Sequence, residues 1–455
     1  SSSRPVLPLP PAPASGPVCV GFSGGLDSTV LLHRLVHDPA FRSAGVRAIH
    51  VHHGLQPAAD AWAEHCARLC ADWRVEFDSV RVTVARDAGR GLEAAAREAR
   101  HAAFAAHLPP GGVMALAHHR DDQAETVLLR ALRASGPDGL AGMAGARRFG
   151  AGWLWRPLLA LPRSALLAYA ERHGLRWIDD PSNDDDGADR NFVRNRILPL
   201  LRTRWPQAGA ALAEVAALQA ESVALLDVDD ACALADARTL DPAVLRIDRL
   251  QPLPSARRGR VLRRWILERG LTPLPRQGAA WCDATLDRAA DDRTPIFDWA
   301  GTRLQRWRDL LHAAPIRPPL PADFDVPWAG TAPLALPDGD TLRLDGPLDD
   351  AMHWRVQARR GGERIALPGR THSHALRHVL QDLGVPPWVR ARLPLLCDED
   401  QDRHGQTTLY EHAVQTQRTL LEAVASEQDG SSVEPGMSVM AASVCSSGPP
   451  DRAAI

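Results

Sequence analysis

Residues 18–30, VCVGFSGGLDSTV, have the residue types and the order of an anion-binding segment. The apolar run at 18–22 predicts a buried strand, and the pattern from Thr29 onward predicts a helix. The turn between them, residues 23–28, contains two adjacent glycines. A strand that enters such a turn and leaves through a helix N-terminus directs backbone N–H groups and the positive end of the helix dipole at a ligand. The segment therefore predicts a phosphate site.

This turn has three open interpretations. A Walker A loop is not among them, because the GxxxxGK(S/T) spacing and its lysine are missing. Gly21, Ser23 and Gly25 match the G-x-S-x-G nucleophile elbow of α/β-hydrolases, although that elbow follows several strands and only a proline-rich lead precedes this one. The hexapeptide SGGLDS also resembles, in full, the pyrophosphate loop of the N-type ATP pyrophosphatases. A plain structural turn is the third interpretation, and we favour the pyrophosphate loop.

Polar side chains also follow two further predicted strands. His52 and His53 follow the strand at 46–51, and the segment HHRDDQ at 118–123 follows the strand at 113–117. In doubly wound sheets the ligand lies outside the carboxyl ends of the strands. We therefore expect these two clusters and the glycine turn to meet at one edge of a sheet.

Residues 18 to about 205 alternate short apolar runs with helical patterns, which is typical of a doubly wound parallel α/β sheet. Beyond about 207, long Ala/Leu patterns predict a mainly helical middle domain, and short alternating strands nearer the C-terminus predict a small α+β domain. The predicted boundaries are 1–17 for a disordered lead, 18–205 for the α/β domain, 206–315 for the helical domain, 316–333 for a proline-rich linker, 334–426 for the α+β domain and 427–455 for a disordered tail.

Composition excludes several classes of protein and site. The formal net charge of −2 gives no overall signal for nucleic acid. The seven cysteines, an odd number without a C-x-x-C pair, argue for a reduced cytosol and against a zinc or iron–sulfur site. No run of about 18 uncharged apolar residues is present, so we expect no membrane span. The chain contains no lysine, so all 53 basic residues are arginines, which suit bidentate contact with phosphate, and a lysine Schiff base is excluded.

Further motifs narrow the family. They are HHGL at 52–55, HHRDDQAET at 118–126, RPLL at 156–159, DPSN at 180–183, RNFVRNR at 190–196, RRGGER at 359–364 and LGVPPW at 383–388. Thiolation enzymes, GMP synthetase and asparagine synthetase share SGGLDST. Taken together with SGGLDST, the seven further motifs resemble those of the bacterial tRNA(isoleucine)-lysidine synthetases. The resemblance covers most of residues 18–397. Residues 398–455 depart from that pattern, because they are polar where alternating aliphatic strands are expected.

The resemblance implies a fold and a reaction. The fold is that of a PP-loop ATPase, similar to the adenine nucleotide alpha hydrolases. In the reaction, ATP adenylates the oxygen at carbon 2 of the wobble cytidine in the CAU anticodon of an isoleucine tRNA, and the ε-amine of free L-lysine then displaces AMP. The product, lysidine, pairs with A rather than G, which changes codon specificity from AUG to AUA. The resemblance also implies Mg²⁺ with ATP and a cytoplasmic enzyme, and it is compatible with a homodimer.

The resemblance assigns the glycine turn to ATP and neighbouring carboxylates to metal or substrate. Backbone N–H groups and two hydroxyls would hold ATP at Ser23, Gly24, Gly25, Leu26, Asp27 and Ser28, with His52 as a weaker contact. Asp27 would bind Mg²⁺ or brace the turn; the alternative is a helix-start carboxylate that the dipole favours. Asp121 and Asp122 begin a helix in which Asp122 and Glu125 also match a capping box. We favour Mg²⁺ binding, with Asp122 as a ligand, or recognition of the lysine ammonium there.

Two histidines at the same strand end complete the predicted catalytic group. His118 and His119 would contact phosphate or take the proton of the incoming amine, which must be neutral to attack. Strand-end histidines bonded to the backbone are the alternative. Zinc is disfavoured, since no HExxH motif or cysteine partner accompanies them.

Arginine-rich segments are the candidate RNA contacts. A substrate rim, which would hold anticodon phosphates or stack on splayed bases, comprises Asp180, Arg190, Asn191, Arg194 and Arg196. A second set, which would contact the tRNA body and acceptor stem, comprises Arg257, Arg260, Arg264, Arg359, Arg360 and Arg364. Structural salt bridges are the alternative for the rim, and a solvated arginine face is the alternative for the second set.

Two rival functions stay open. A cytidine thiolase would share the glycine turn, although that chemistry usually needs the paired cysteines that the chain lacks. A catalytically inactive RNA-binding protein would share the arginines, although the intact SGGLDS and DDQ motifs disfavour it.

Overall fold

A computed structural model of the chain describes residues 7–54, 59–83, 92–181, 185–286, 294–345, 354–366, 373–398 and 441–445. The chain forms two compact units whose boundary lies between residues 226 and 227. Outside the described residues lie the sequence predictions for 1–6, for Leu55 of HHGL, for 182–184 around DPSN and for most of the tail.

A six-stranded sheet lies at the centre of the first unit. Its strands are β1 (Val18–Gly21), β2 (Val46–His52), β3 (Glu76–Arg81), β4 (Val113–Ala115), β5 (Ala146–Phe149) and β6 (Gly152–Trp155), in the order β3-β2-β1-β4-β6-β5. All neighbouring strands are parallel except β5, which is antiparallel to β6. The chain builds β2 and β3 on one side of β1 and then β4 on its other side. The order therefore reverses between β1 and β4, where doubly wound sheets bind ligands, and the predicted α/β class is confirmed.

Helices cover both faces of this sheet. They are α1 (Leu26–Val36), α2 (Pro39–Ala44), α3 (Ala59–Asp72), α4 (Leu92–His107), α5 (Arg120–Leu132), α6 (Pro137–Leu140), α7 (Arg163–Arg172), α8 (Asp189–Phe192), a π-helical turn (Val193–Ile197) and α9 (Leu198–Arg204). Successive strand residues point to opposite faces, so Val18 and Val20 pack with α1, α3 and α7, whereas Cys19 packs with Phe104 of α4. A central strand covered on both faces is apolar throughout, which explains why the run at 18–22 is recognisable in the sequence.

Residues 7–17 belong to the lead that we predicted to be disordered, and they pack against the first unit instead. Leu7 is 7% exposed and joins the core that contains α1. Arg34 Nε donates a hydrogen bond of 2.9 Å to Leu7 O, and Val113 N donates one of 2.9 Å to Pro17 O. The prediction rested on the Ser/Pro/Ala composition, which does not show that a few apolar side chains can anchor such a segment.

The first part of the second unit combines helices with an antiparallel sheet. Helix α10 (Ala208–Ala237) crosses the boundary between the two units. The elements that follow are β7 (Val244–Arg246), α11 (Ile247–Leu250), α12 (Ser255–Glu268), α13 (Arg276–Leu286), β8 (Ile296–Trp299), β9 (Thr302–Trp307) and β10 (Leu310–Pro315). The strands lie in the order β7-β10-β9-β8, each antiparallel to its neighbour. The sequence pattern predicts the helices but not this sheet, because strands this short carry little periodic signal.

The second part of this unit consists mostly of short strands. Its elements are β11 (Asp325–Pro327), β12 (Leu334–Ala335), β13 (Thr341–Asp345), β14 (Trp354–Gln357), β15 (Arg364–Ala366), β16 (Ser373–Ala375), α14 (Leu376–Asp382), α15 (Pro387–Arg390), β17 (Leu395–Asp398) and β18 (Ala441–Cys445). The predicted linker at 316–333 contains β11 and buries Leu320 and Trp328. Strand β18 pairs with β13, so this part of the predicted tail is a strand.

One helix among the described residues is long and apolar enough, by length and composition alone, to cross a membrane. It is α10, which carries Glu214 and Glu221 and is mostly exposed. A single helix of this kind is weak evidence for a membrane span, because helices of soluble proteins pass the same test.

Candidate active site

The predicted phosphate turn lies between the end of β1 and the start of α1, where the strand order reverses. Gly24 has a φ of +82°, and a Cβ atom there would lie 2.8 Å from both Cys66 Sγ and Ile178 Cδ1. The Gly24 carbonyl oxygen accepts hydrogen bonds from Ile178 N at 2.9 Å and from Thr29 Oγ1 at 3.3 Å. Only glycine fits this position, because both the backbone conformation and the packing exclude a side chain.

The backbone N–H groups in the first turn of α1 have no side-chain cap. Gly25 is its N-cap residue and has no side chain to accept from them. The first N–H groups of a helix have no intrahelical acceptor and carry the positive end of the helix dipole. Ser23 Oγ lies 3.0 Å from Ser28 Oγ, which in turn donates to Gly25 O at 3.1 Å. The turn can therefore hold a phosphate through its backbone while the two serines brace its shape.

The turn opens onto a cavity of about 1160 Å³ in the first unit. Residues at the ends of β1, β2 and β4 line it, so the three polar clusters meet at one sheet edge. The predicted site residues that line the cavity are Ser23, Gly25, Leu26, Asp27, Ser28, His52, His118, His119, Asp121, Asp122, Glu125, Asp180 and Arg194. Gly24, Arg190, Asn191 and Arg196 lie outside its lining. Ligand pockets commonly enclose about 300–1,000 Å³, so this cavity has room for a nucleotide and a second substrate.

His119 lies among three carboxylates at the end of β4. Its Nε2 is 3.6 Å from Asp27 Oδ2 and 3.5 Å from Asp122 Oδ2, and its Nδ1 is 3.9 Å from Asp121 Oδ2. Burial alone would lower the pKa of His119, but the hydrogen bond with Asp27 and the charges of the carboxylates outweigh it and raise the pKa. An imidazolium beside a phosphate turn favours contact with an anion over service as a base.

Asp27 is the carboxylate best placed to bind a cation. Its Oδ1 is buried and has no hydrogen-bond partner within the described ranges. Asp122 differs, because its Oδ2 accepts from His119 N at 2.9 Å and its Oδ1 accepts from two arginines. A hard carboxylate oxygen without a donor, beside a phosphate turn, fits Mg²⁺. Side chains of the described residues do not complete a metal site by themselves, so such a cation would also need phosphate or water oxygens.

His118 is neutral and is oriented by Arg156. Arg156 Nε donates to His118 Nδ1 at 3.3 Å, and Arg156 Nη1 donates to Ala144 O at 2.7 Å. An imidazole nitrogen that accepts a hydrogen bond carries no proton, so the proton of the neutral ring lies on Nε2. Burial lowers the pKa of His118 to about 3, although the charge of Asp122 opposes it. His118 can therefore donate from Nε2, and this geometry disfavours it as the acceptor of the amine proton.

Asp122 and Glu125 of α5 form a charge network with Arg190 of α8 and Arg194 of the π-helical turn. Glu125 is 1% exposed. Its Oε2 accepts from Arg190 Nε at 2.7 Å, and its Oε1 accepts from Arg194 Nε at 2.7 Å. The same arginines reach Asp122 Oδ1, at 3.2 Å from Arg190 Nη2 and 3.0 Å from Arg194 Nη2. Predicted catalytic carboxylates and predicted rim arginines thus form one network rather than two groups.

Three other predicted residues have partners away from this network. His52 Nε2 lies 3.0 Å from Asp60 Oδ1. Asn191 Nδ2 donates to a backbone carbonyl oxygen at 2.9 Å, and Arg196 Nε donates to Asp186 Oδ2 at 2.6 Å on the surface. The contacts of Arg196 match the salt-bridge alternative, and a role in RNA binding stays a prediction for both Asn191 and Arg196.

The predicted arginines of α12 are bonded within the second unit. Arg260 Nε is 2.6 Å from Asp230 Oδ2, and Arg264 Nε is 2.9 Å from Glu268 Oε1. Arg257 Nη2 donates to a backbone carbonyl oxygen of α10 at 2.8 Å. These bonds give the arginines a structural explanation, and their contact with tRNA stays a prediction.

Arg359, Arg360 and Arg364 flank the loop that contains Glu363. Arg359 Nη1 donates to a backbone carbonyl oxygen at 2.9 Å, and Arg360 N donates to Glu363 Oε1 at 2.6 Å. Arg364 Nε donates to Ser373 Oγ at 2.8 Å. These bonds fix the loop, and its contact with tRNA also stays a prediction.

Several residues that line the cavity were missed in the sequence. They are Arg100, Arg163, Ile178, Asn195 and Arg202. Arg202 forms an ion pair with Asp121, whose Oδ2 accepts from Arg163 N at 3.0 Å. Asn195 lies within RNFVRNR, so that motif could have indicated it. Arg100 lies in an ordinary Ala/Arg helical pattern, which gives no such signal.

Comparison with known proteins gives three family matches along the chain. Residues 9–201 match the PP-loop domain, residues 245–312 match the TilS substrate binding domain, and residues 354–401 match the TilS substrate C-terminal domain. The chain is 53% identical to the tRNA(Ile)-lysidine synthase of Xanthomonas axonopodis pv. citri (strain 306) over 396 residues, which is 87% of this chain and 90% of the relative. It is 52% identical to the protein of the same name from Xylella fastidiosa (strain Temecula1) over 401 residues, 87% and 91% of the two chains. It is 42% identical to the tRNA(Ile)-lysidine synthase of Methylococcus capsulatus (strain Bath) over 387 residues, which is 83% of this chain and 88% of the relative.

Among solved structures, the U34-tRNA thiolase NcsA from Methanococcus maripaludis is 18% identical to this chain, with a TM-score of 0.37. The alignment covers 44% of this chain and 72% of that one. A likeness this weak bears on neither fold nor function.

Proposed function

The chain belongs to the tRNA(Ile)-lysidine synthase family, and on this premise we propose the reaction of its cavity. ATP drives the ligation of free L-lysine to carbon 2 of the wobble cytidine in the CAU anticodon of an isoleucine tRNA. The observation that supports this most is the meeting, in one cavity, of three features: the uncapped glycine turn, the Asp27 oxygen that has no partner among the residues the structure describes, and the charge network around Glu125.

In the first half-reaction, the oxygen at carbon 2 of cytidine attacks the α-phosphorus of ATP, and pyrophosphate leaves. Backbone N–H groups of residues 26–28 would hold the β- and γ-phosphates of this leaving group. His119, with its raised pKa, would add positive charge beside the same phosphates. The cytosine carbonyl is a poor electrophile, so the new ester supplies the leaving group for the second half-reaction.

We assign Mg²⁺ to Asp27, whose Oδ1 is buried and receives no hydrogen bond from the described residues. When bound, Mg²⁺ offsets negative charge on a polyphosphate. Asp27 extends from the first turn of α1, so it would place the cation beside the phosphates that the turn holds. The predicted role of Asp122 as a second metal ligand has less support, because hydrogen-bond donors occupy both of its oxygens.

We assign free L-lysine to the network of Asp122, Glu125, Arg190 and Arg194. An amino acid carries an ammonium and a carboxylate, and this network offers both signs of charge in one place. In the second half-reaction, the neutral ε-amine attacks carbon 2, the bond from carbon 2 to the AMP oxygen breaks, and AMP leaves. The amine also loses a proton, which we assign to water in the cavity because His118 is already placed as a donor.

The test is a product assay with the full chain. AMP should form only when both lysine and the CAU-anticodon tRNA are present, whereas pyrophosphate should form with ATP and that tRNA alone. In the complete reaction the tRNA should gain the mass of lysine minus water. The matched control is the same tRNA with uridine in place of the wobble cytidine, which should give neither product. Incorporation of sulfur, or no turnover with any tRNA, would contradict the proposal.

A cytoplasmic location and a homodimer complete the proposal. Both ATP and tRNA are cytoplasmic substrates, and cysteines without C-x-x-C pairs suit a reducing compartment. Light scattering measures the homodimer directly: a mass near 49 kDa in solution would show that the chain is a monomer.

A further inference from the structure

Four arginines beside the cavity have no carboxylate within ion-pair distance in the described part of the chain. They are Arg97 of α4, Arg130 of α5, Arg147 of β5 and Arg156, which follows β6. On α12, by contrast, Arg260 is ion-paired with Asp230. This cluster, which we call the arginine strip, therefore carries positive charge that the described residues do not cancel.

Backbone carbonyl groups hold part of the strip in place. Arg130 Nη1 donates to Gly139 O at 2.7 Å and to Gly142 O at 2.8 Å. Arg156 Nη1 donates to Ala144 O at 2.7 Å, on the same loop. Carbonyl oxygens are dipoles without net charge, so these bonds orient the guanidinium groups and leave their charge in place.

Aromatic contacts join the other half of the strip. The ring of His101 on α4 lies 5.7 Å from the ring of Phe149, and Arg147 Cζ lies 5.4 Å from the same Phe149 ring. Arg97 precedes His101 by four residues, so both lie on one face of α4. Helix α4 and strand β5 thus bring Arg97 and Arg147 to the same surface.

Electrostatics agree with this geometry. Burial, followed by the charges of Arg147, Arg97 and Arg130, lowers the pKa of Arg156 to about 10. Burial, followed by the charges of four arginines that include Arg97 and Arg147, lowers the pKa of His101 to about 4. Like charges held this close oppose folding, so the arrangement suits a site that an anion completes.

The strip begins at the wall of the active-site cavity and continues away from it. Arg156 contacts His118, which lines the cavity, whereas Arg97 and Arg147 are exposed and lie outside the lining. The phosphates of one nucleotide fit inside the cavity at the glycine turn. An anion that reaches from the glycine turn to the exposed arginines of the strip must therefore be longer than one nucleotide.

We propose that the exposed end of the arginine strip, Arg97 and Arg147, binds phosphodiester groups next to the wobble nucleotide of the RNA, while that nucleotide occupies the cavity. This inference rests on the proposed function. Arginine suits the task because its planar guanidinium can contact two phosphate oxygens at once. The strip then holds the strand in position without reading its bases.

The test compares the two exposed arginines of the strip with Arg148, which lies on the same strand as Arg147. Arg97→Gln combined with Arg147→Gln removes two charges from the strip, and each single variant serves as a second measurement. The control is Arg148→Gln, because Arg148 follows Arg147 on β5, points to the opposite face and packs 4.3 Å from the Trp153 ring. The probe is the anticodon stem–loop of the CAU-anticodon tRNA, titrated at several salt concentrations without ATP or lysine.

We expect the double variant to bind the stem–loop about tenfold more weakly, with the slope of log K against log salt reduced by about 0.7–0.9 for each lost contact. Arg148→Gln should match the wild type, and the KM for ATP should stay within about twofold in all variants. Equal affinity and equal slope in the double variant and the control would overturn the proposal that the strip binds RNA. A raised KM for ATP with unchanged RNA affinity would also overturn it. Because the titration needs no turnover, a wild type that binds the stem–loop but forms no AMP would contradict the proposed function alone.

Discussion

Two arginine-rich regions of this protein look alike in sequence and differ in structure. On α12, arginines pair with carboxylates, such as Arg260 with Asp230 at 2.6 Å. In the arginine strip of the first unit, Arg97 and Arg147 face no carboxylate among the described residues. The comparison teaches that a run of basic residues says little about binding until its partners are known. A charge with a partner supports the fold, and a charge without one is available to a ligand.

The cavity contains the same contrast among its carboxylates. Glu125 is buried between two arginines, whereas Asp27 keeps one buried oxygen to which no residue in the described part of the chain donates. The comparison therefore makes opposite predictions for the two residues. Loss of Asp27 should affect the reaction and spare the fold, and loss of Glu125 should affect both.

The largest effect is expected for Asp27→Ala. We expect turnover to fall by about 1,000-fold or more, because removal of a ligand to a catalytic cation removes stabilisation of the developing phosphate charge. Affinity for tRNA should stay within a few fold and the free energy of unfolding should change little. Single-turnover formation of AMP, stem–loop titration and urea unfolding measure the three quantities. A variant that fails to fold, or that keeps full activity, would show that this carboxylate has another role.

The next effect is expected for Glu125→Ala. This change leaves Arg190 and Arg194 without their main partner, and breaking a buried ion pair on one side costs about 2–4 kcal/mol when the arginines remain partly exposed. We expect both lower stability in urea and loss of lysine-dependent AMP release. Unchanged stability would mean that water replaces the carboxylate easily, and the contrast with Asp27 would then fail.

Arg260→Ala tests the paired arginines of α12. Asp230 has only 3% of its side chain exposed, so loss of its close partner should lower the free energy of unfolding by about 1–2 kcal/mol. We expect the salt slope of tRNA binding to stay at the wild-type value, unlike that of the strip variants. A slope reduced by about one unit would instead support the sequence prediction that α12 contacts tRNA.

The sequence predicted local features of the site well and long-range pairings poorly. The glycine turn, the strand ends and the start of α5 follow from motifs within a few residues of each other. The contacts of Glu125 with Arg190 and Arg194 join residues more than 60 positions apart, and Ile178 packs against Gly24 although more than 150 positions separate them. Periodicity and composition describe one element at a time, so they cannot show which carboxylate meets which arginine. For that reason α12 looked like a better RNA contact than Arg97 and Arg147.

After the arginines and the carboxylates, the third case is a buried histidine that is neutral and can gain a charge. His33 of α1 is 8% exposed and lies against the rings of His37, Trp73, Tyr169 and His173. Its Nδ1 is 3.0 Å from the hydroxyl oxygen of Tyr169. Burial, and then the charges of the two neighbouring histidines, lower the pKa of His33 from 6.5 to about 4. This position is therefore stable only while the ring is neutral.

The sign of the pH effect follows from these two values. Between about pH 4 and 6.5 the unfolded chain holds more protons at His33 than the folded chain, so stability rises with pH across that window. From pH 7 to pH 5 the His33 contribution to the free energy of unfolding should fall by about 1–2 kcal/mol. Urea unfolding at both pH values measures it, with His33→Gln, which cannot be protonated, as the comparison. If His33→Gln loses as much stability as the wild type between these pH values, another group dominates. If it loses less, the free-energy cost of protonating the buried His33 ring limits the stability of the folded chain at acid pH.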